Sequence, residues 1–120
     1  MKQMDEEIEN WSSDALNLYV APWAGWDYDG EYDCWHQPDG LETLEECPDF
    51  CGGGEHTWSL LEVGNLDLVC PGVGREDWRA VGYRCDPNMK TRTVSVAHCR
   101  AARAVCEAAA ELRREGIEAR

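Results

Sequence analysis

The chain has 120 residues, the length of one domain, and carries a formal net charge of −13. So acidic a surface repels a nucleic-acid backbone and favours basic partners, so direct nucleic-acid binding is not expected. No run of 18 apolar residues is present, so no membrane span is expected either. The first ten residues are charged and lack the apolar stretch of a signal peptide. That reading places the chain in the cytoplasm, a reducing compartment where seven cysteines stay free, bind metal or do chemistry rather than pair off.

The charge is uneven. Residues 1–60 hold 15 acids against Lys2 alone, whereas residues 91–120 carry six bases and four acids. Six Trp and four Tyr outnumber one Phe, so the large side chains mostly bring a polar group that needs a partner or water.

In chain order, Met4, Ile8, Trp11, Ala15 and Leu18 recur at helical steps, and residues 1–19 are expected to form a helix stopped by Ala21-Pro22. Residues 26–35 read WDYDGEYDCW, with Trp26, Tyr28, Gly30, Tyr32 and Cys34 alternating with Asp27, Asp29, Glu31 and Asp33. Period two predicts one strand with aromatics on one face and carboxylates on the other; a turn at Asp29-Gly30 is the competing reading. Residues 57–63 and 66–70 flank Gly64-Asn65 and are expected to pair as a hairpin. Residues 79–85 and 92–96 are further strand candidates. An alanine-rich helix is expected over 97–115, with Gly116 as its stop. The fold class is thus α+β, a single domain over 1–120. A small, largely antiparallel sheet occupies a cysteine-rich region, 26–96, between an N-terminal and a C-terminal helix.

The cysteines carry the chemistry. Cys47-Pro48-Asp49-Phe50-Cys51 runs into Gly52-Gly53-Gly54, and Cys70-Pro71-Gly72 follows the expected hairpin. Tetrahedral zinc takes four N or S ligands, and paired cysteines in a glycine-rich turn supply them. Over residues 47–74 the chain resembles a zinc ribbon, in which two CPxCG-type knuckles are bridged by a β-hairpin. The first knuckle has one extra residue, and Val73 stands where a ribbon would place its last cysteine. The resemblance implies a structural Zn²⁺ held by Cys47, Cys51 and Cys70. Cys85 is taken as the fourth ligand, with His56 and the Cys34-Trp35-His36 pair as alternatives.

The acid spacing after Asp27 does not follow the order of a calcium loop, and no phosphate-binding loop, nucleophile elbow or His-Glu-x-x-His occurs. The expected function is therefore non-enzymatic: a zinc-braced adaptor presenting an acidic, aromatic surface to a protein partner with a basic surface. Trp23, Trp26, Asp27, Tyr28, Asp29, Glu31, Tyr32 and Asp33 are its expected contact residues. The alternative is an acidic inhibitor that imitates DNA, of the phage counter-defence or regulator-blocking kind. Carboxylates along one strand face, about 6.6 Å apart, would occupy a basic groove built for phosphates.

Overall fold

Ser12 sets the first helix. Its hydroxyl oxygen accepts the Ala15 amide at 3.1 Å, and α1 follows as Ser13–Trp23 with Asp14 in its first turn. The computed structural model describes residues 7–40, 43–85 and 91–119, so Met4 of the expected stripe lies outside the described residues. Ile8 and Trp11 are buried as the stripe requires, but from a short 3₁₀ turn, Ile8–Asn10, ahead of the capping serine, whereas Leu18 of the same stripe is exposed and α1 buries Leu16, Asn17, Val20 and Ala21 instead. The single helix over 1–19 is therefore corrected: the cap divides it, because serine satisfies free amides better at an end than inside.

Pro22 does not stop α1 but sits in its last turn. The stop is Gly25, at φ +97°, a left-handed position that a side chain disfavours. Gly25 N–H bonds the Pro22 carbonyl at 3.1 Å and Trp26 N–H reaches back to the Ala21 carbonyl at 3.0 Å, a Schellman ending. The same device ends the last helix, where Gly116 bonds Arg113 and Ile117 bonds Leu112.

Two three-stranded antiparallel sheets follow. The first orders β1 (Asp27–Asp29), β2 (Cys34–His36) and β3 (Thr43–Leu44). The second orders β4 (Leu66–Val69), β5 (Trp78–Cys85) and β6 (Thr91–His98), bearing out the strands expected at 66–70, 79–85 and 92–96. Between the sheets lies α2, Glu55–Val63, where a strand was expected. Thr57 and Leu60 are its buried positions, a helical spacing, and Gly64-Asn65 terminates this helix instead of turning a hairpin. β4 therefore pairs with β5.

The last helix, α3 (Ala101–Arg114), packs against β5 and β6 as well as α1 and α2. Its run of buried small residues, from Ala102 through Ala110, permits close approach from several directions. The architecture is α+β, and one apolar cluster draws on Ile8, Val20, Trp35, Phe50, Leu60, Leu66, Val105 and Leu112.

Candidate metal centre

The segment expected as one strand folds back on itself. β1 and β2 are joined by residues 30–33, with Asp33 at φ +51°, and pair so that Asp29 faces Cys34, Tyr28 faces Trp35 and Asp27 faces His36. Residues opposed across an antiparallel pair point to the same side, and side chains alternate along each strand. Asp27, Asp29, Cys34 and His36 thus share one face, and Tyr28 and Trp35 share the other, their rings 5.2 Å apart. Trp35 is buried, which anchors that aromatic face to the core and leaves the polar face toward solvent.

On the polar face three donor atoms converge. His36 Nε2 lies 3.3 Å from Asp29 Oδ2 and 3.9 Å from Cys34 Sγ. All three ligand atoms lie within 4.8 Å of one another, and among the described residues this is the group of that kind. Ligand distances of about 2.0–2.1 Å for N and O and 2.3 Å for S define a tetrahedron with N–O edges of about 3.3 Å and N–S edges of about 3.6 Å. The two separations at His36 Nε2 match those edges to within a few tenths of an ångström, so the three side chains form a candidate metal-binding group.

The second carboxylate oxygen is already engaged. Asp29 Oδ1 accepts the Glu31 amide at 2.9 Å and the Tyr32 amide at 3.4 Å, which fixes the carboxylate and leaves Oδ2 facing the imidazole. Outer contacts of this type orient a metal ligand. His36, with help from those amides, holds the Asp29 carboxyl below its usual pKa of 3.8, so Asp29 is ionised throughout the neutral range. The same geometry argues against a nucleophilic triad. A relay needs the thiol on one imidazole nitrogen and the carboxylate on the other, whereas both face Nε2 here.

Sequence spacing did not reveal this group, because a continuous strand sends residues 29 and 34 to opposite faces. A four-residue turn restores them to one. Cys34 and His36 had entered only as alternatives for a fourth ligand, and Asp29 only as a contact residue.

The residues expected to hold zinc are distributed differently. Cys47 is half-buried against the core, Cys51 is buried, and Cys70 is exposed after β4. Their sulfurs do not form a three-ligand group, since the hairpin that was to gather them is a helix followed by a strand paired elsewhere. Cys85 closes β5, and its side chain lies outside the described residues. His56 stands on α2, its ring edge-on to Trp26 at 5.3 Å.

The knuckle-like loop serves packing. Phe50 is fully buried; its amide donates to Asn17 Oδ1 at 2.9 Å, and its carbonyl accepts the Thr57 hydroxyl at 2.8 Å. Burial, then the Asp14 and Asp49 carboxylates, push the Cys47 thiol up to about 11. The Cys106 thiol beside Cys51, together with Arg103, lowers the pKa of Cys51 against the effect of burial.

Of the expected contact residues, Trp26 belongs to the core and Trp23 is half-buried against it. Trp26 is only 8% exposed, held inward by the α1 ending. Trp23 packs on the core and donates its indole N–H to the Ile117 carbonyl at 2.7 Å, tying α1 to the end of α3. The others do reach solvent: Asp27, Glu31 and Asp33 are exposed, Tyr28 is 48% exposed and Tyr32 74%, while Asp29 is partly covered. Tyr28 O–H donates to the Asp33 carboxylate across the turn, which raises the tyrosine pKa. No helix among the described residues is long and apolar enough to cross a membrane. Comparison with protein-family models, with curated proteins and with solved structures finds no match to this chain.

Proposed function

We propose that this protein is a non-enzymatic adaptor in which zinc, held by Asp29, Cys34 and His36, stiffens an acidic hairpin tip that docks on a protein partner with a basic surface. The observation that carries the reading is the convergence of three donor atoms within 4.8 Å of one another, two of the separations being 3.3 and 3.9 Å, directly beneath the exposed tip. Strands of three residues, with a two-residue β3 on the far side of β2, make few backbone hydrogen bonds, and a sheet that small gains from further support. A metal bridging β1 and β2 supplies that support. The tip then presents Tyr28 and Tyr32 among Glu31 and Asp33, large rings with a polar end beside charges that steer a cationic partner.

The DNA-imitation reading has less to stand on, because the expected row of evenly spaced carboxylates is split between one short strand, with Asp27 and Asp29, and a turn, with Glu31 and Asp33. The adaptor reading is tested with a panel of basic peptides, measuring affinity with zinc, after chelation, and with Tyr32→Ala. Chelation and Tyr32→Ala should each weaken binding. Equal affinity with and without zinc overturns the reading. Strong competition by double-stranded DNA for the same partner restores the imitation reading instead.

A further inference from the structure

The four side chains on the polar face of the hairpin form a rectangle. Asp29 lies opposite Cys34 at one end and Asp27 lies opposite His36 at the other. Donor atoms from three corners gather near His36 Nε2. We propose that the fourth corner completes the site, with the Asp27 carboxylate as the fourth ligand of the zinc ion. This inference rests on the metal reading above and deepens it.

The placement follows from the backbone. Residues directly opposed in an antiparallel pair have Cβ atoms about 4.5–5.5 Å apart, so the Asp27 carboxylate starts on the His36 side of the site. Asp27 and Asp29 are two residues apart on one strand, about 6.6 Å, and project to the same face. Asp27 is exposed, so its χ1 can turn toward an arriving cation without displacing packed atoms. Asp29 is already fixed by the Glu31 and Tyr32 amides. The pair therefore divides the work: a pre-oriented carboxylate receives the ion and a mobile one closes over it. Thiolate, imidazole and two carboxylates are ligand types that zinc accepts, and four of them fill a tetrahedron without a bound water. A closed site suits a bracing role, whereas an open position would suit hydrolysis.

The test measures zinc affinity by competition with a chromophoric chelator for the full chain, Asp27→Asn, Asp29→Asn and Glu31→Gln. The visible spectrum of the Co²⁺-substituted proteins is recorded in parallel. Glu31 is an exposed acid in the turn, so Glu31→Gln removes the same charge without removing a ligand. Asp27→Asn should weaken zinc binding by at least about tenfold, the lower end of the effect of losing support at a metal site. Glu31→Gln should stay within about twofold, as expected for a screened surface charge. The Asp27→Asn cobalt spectrum should lose intensity as water replaces a carboxylate. Equal weakening by Asp27→Asn and Glu31→Gln, or an unchanged affinity and spectrum in Asp27→Asn, overturns the fourth-ligand assignment while leaving the three-ligand site intact. Failure of the unaltered chain to bind zinc overturns both.

Discussion

At the scale of single residues, the cysteines whose side chains are described divide by surroundings. Cys70 and Cys99 are exposed, Cys51 and Cys106 are buried, and Cys47 is half-buried with its thiol pushed up to about 11. Only the thiolate attacks an alkylating reagent, so reaction at Cys47 should lag behind Cys70 and Cys99 at pH 7 and gain speed only as the pH approaches about 11. The direction is that of an acid whose neutral form is favoured in the fold: Cys47 stays protonated above the ordinary value of 9.0, where the unfolded chain already ionises. Cys34 should behave as a third class, alkylated in zinc-free protein and protected when zinc is bound. Mass mapping of modified thiols against time reads all three classes. Modification of Cys47 at the rate of Cys70, or of Cys34 equally with and without zinc, contradicts these assignments.

Elements were legible where their signals were local. Gly116 as the stop of the last helix and the strands at 66–70, 79–85 and 92–96 follow from a helix-ending glycine and short β-branched runs, and the structure has them. Residues 57–63 misled because TWSLLEV offers as much to a strand as to a helix, and Gly64-Asn65 suits either a hairpin turn or a helix end. The glycines before it decided the matter: Gly54 serves as the cap residue, and Gly53 donates its amide to the Thr57 hydroxyl at 3.0 Å. That hydroxyl also donates to Phe50, a partner legible only once the loop is in place. Residues 26–35 misled differently, since alternation persists through a turn that the sequence places only by the weak Asp29-Gly30 signal. The metal group depends on that turn and was hidden with it. At this scale Gly25→Ala provides a test, because a Cβ there meets Pro38 at 3.2 Å and the φ of +97° disfavours any side chain. It should destabilise the fold by about 1–2 kcal/mol or more in chemical denaturation, through loss of the turn that carries Trp26 inward and launches β1. Unchanged stability contradicts the role given to that ending.

Across the whole molecule, the arginines of the last helix dock it on the N-terminal segment. Arg113 lies over the Tyr19 ring at 4.2 Å and donates to the Tyr19 carbonyl. Arg103 pairs with Glu107, which is 3% exposed, and reaches the Trp11 carbonyl and the Ser13 hydroxyl. Removing one partner of a buried pair leaves a bare charge, so Arg103→Met should cost about 3–5 kcal/mol, and adding Glu107→Leu should recover much of it. Equal loss in the single and double variants contradicts that account. The acids of the hairpin tip take no part in this docking and remain on the surface, which is why the candidate metal group beneath them is the centre of the functional reading.

Native mass spectrometry of protein purified without chelator measures that centre most directly, alongside Cys34→Ser with His36→Ala and, separately, Cys47→Ser with Cys70→Ser. One zinc per chain is predicted, lost in the Cys34/His36 variant and kept in the Cys47/Cys70 variant. No bound zinc, or zinc that survives the first variant and leaves with the second, contradicts the site.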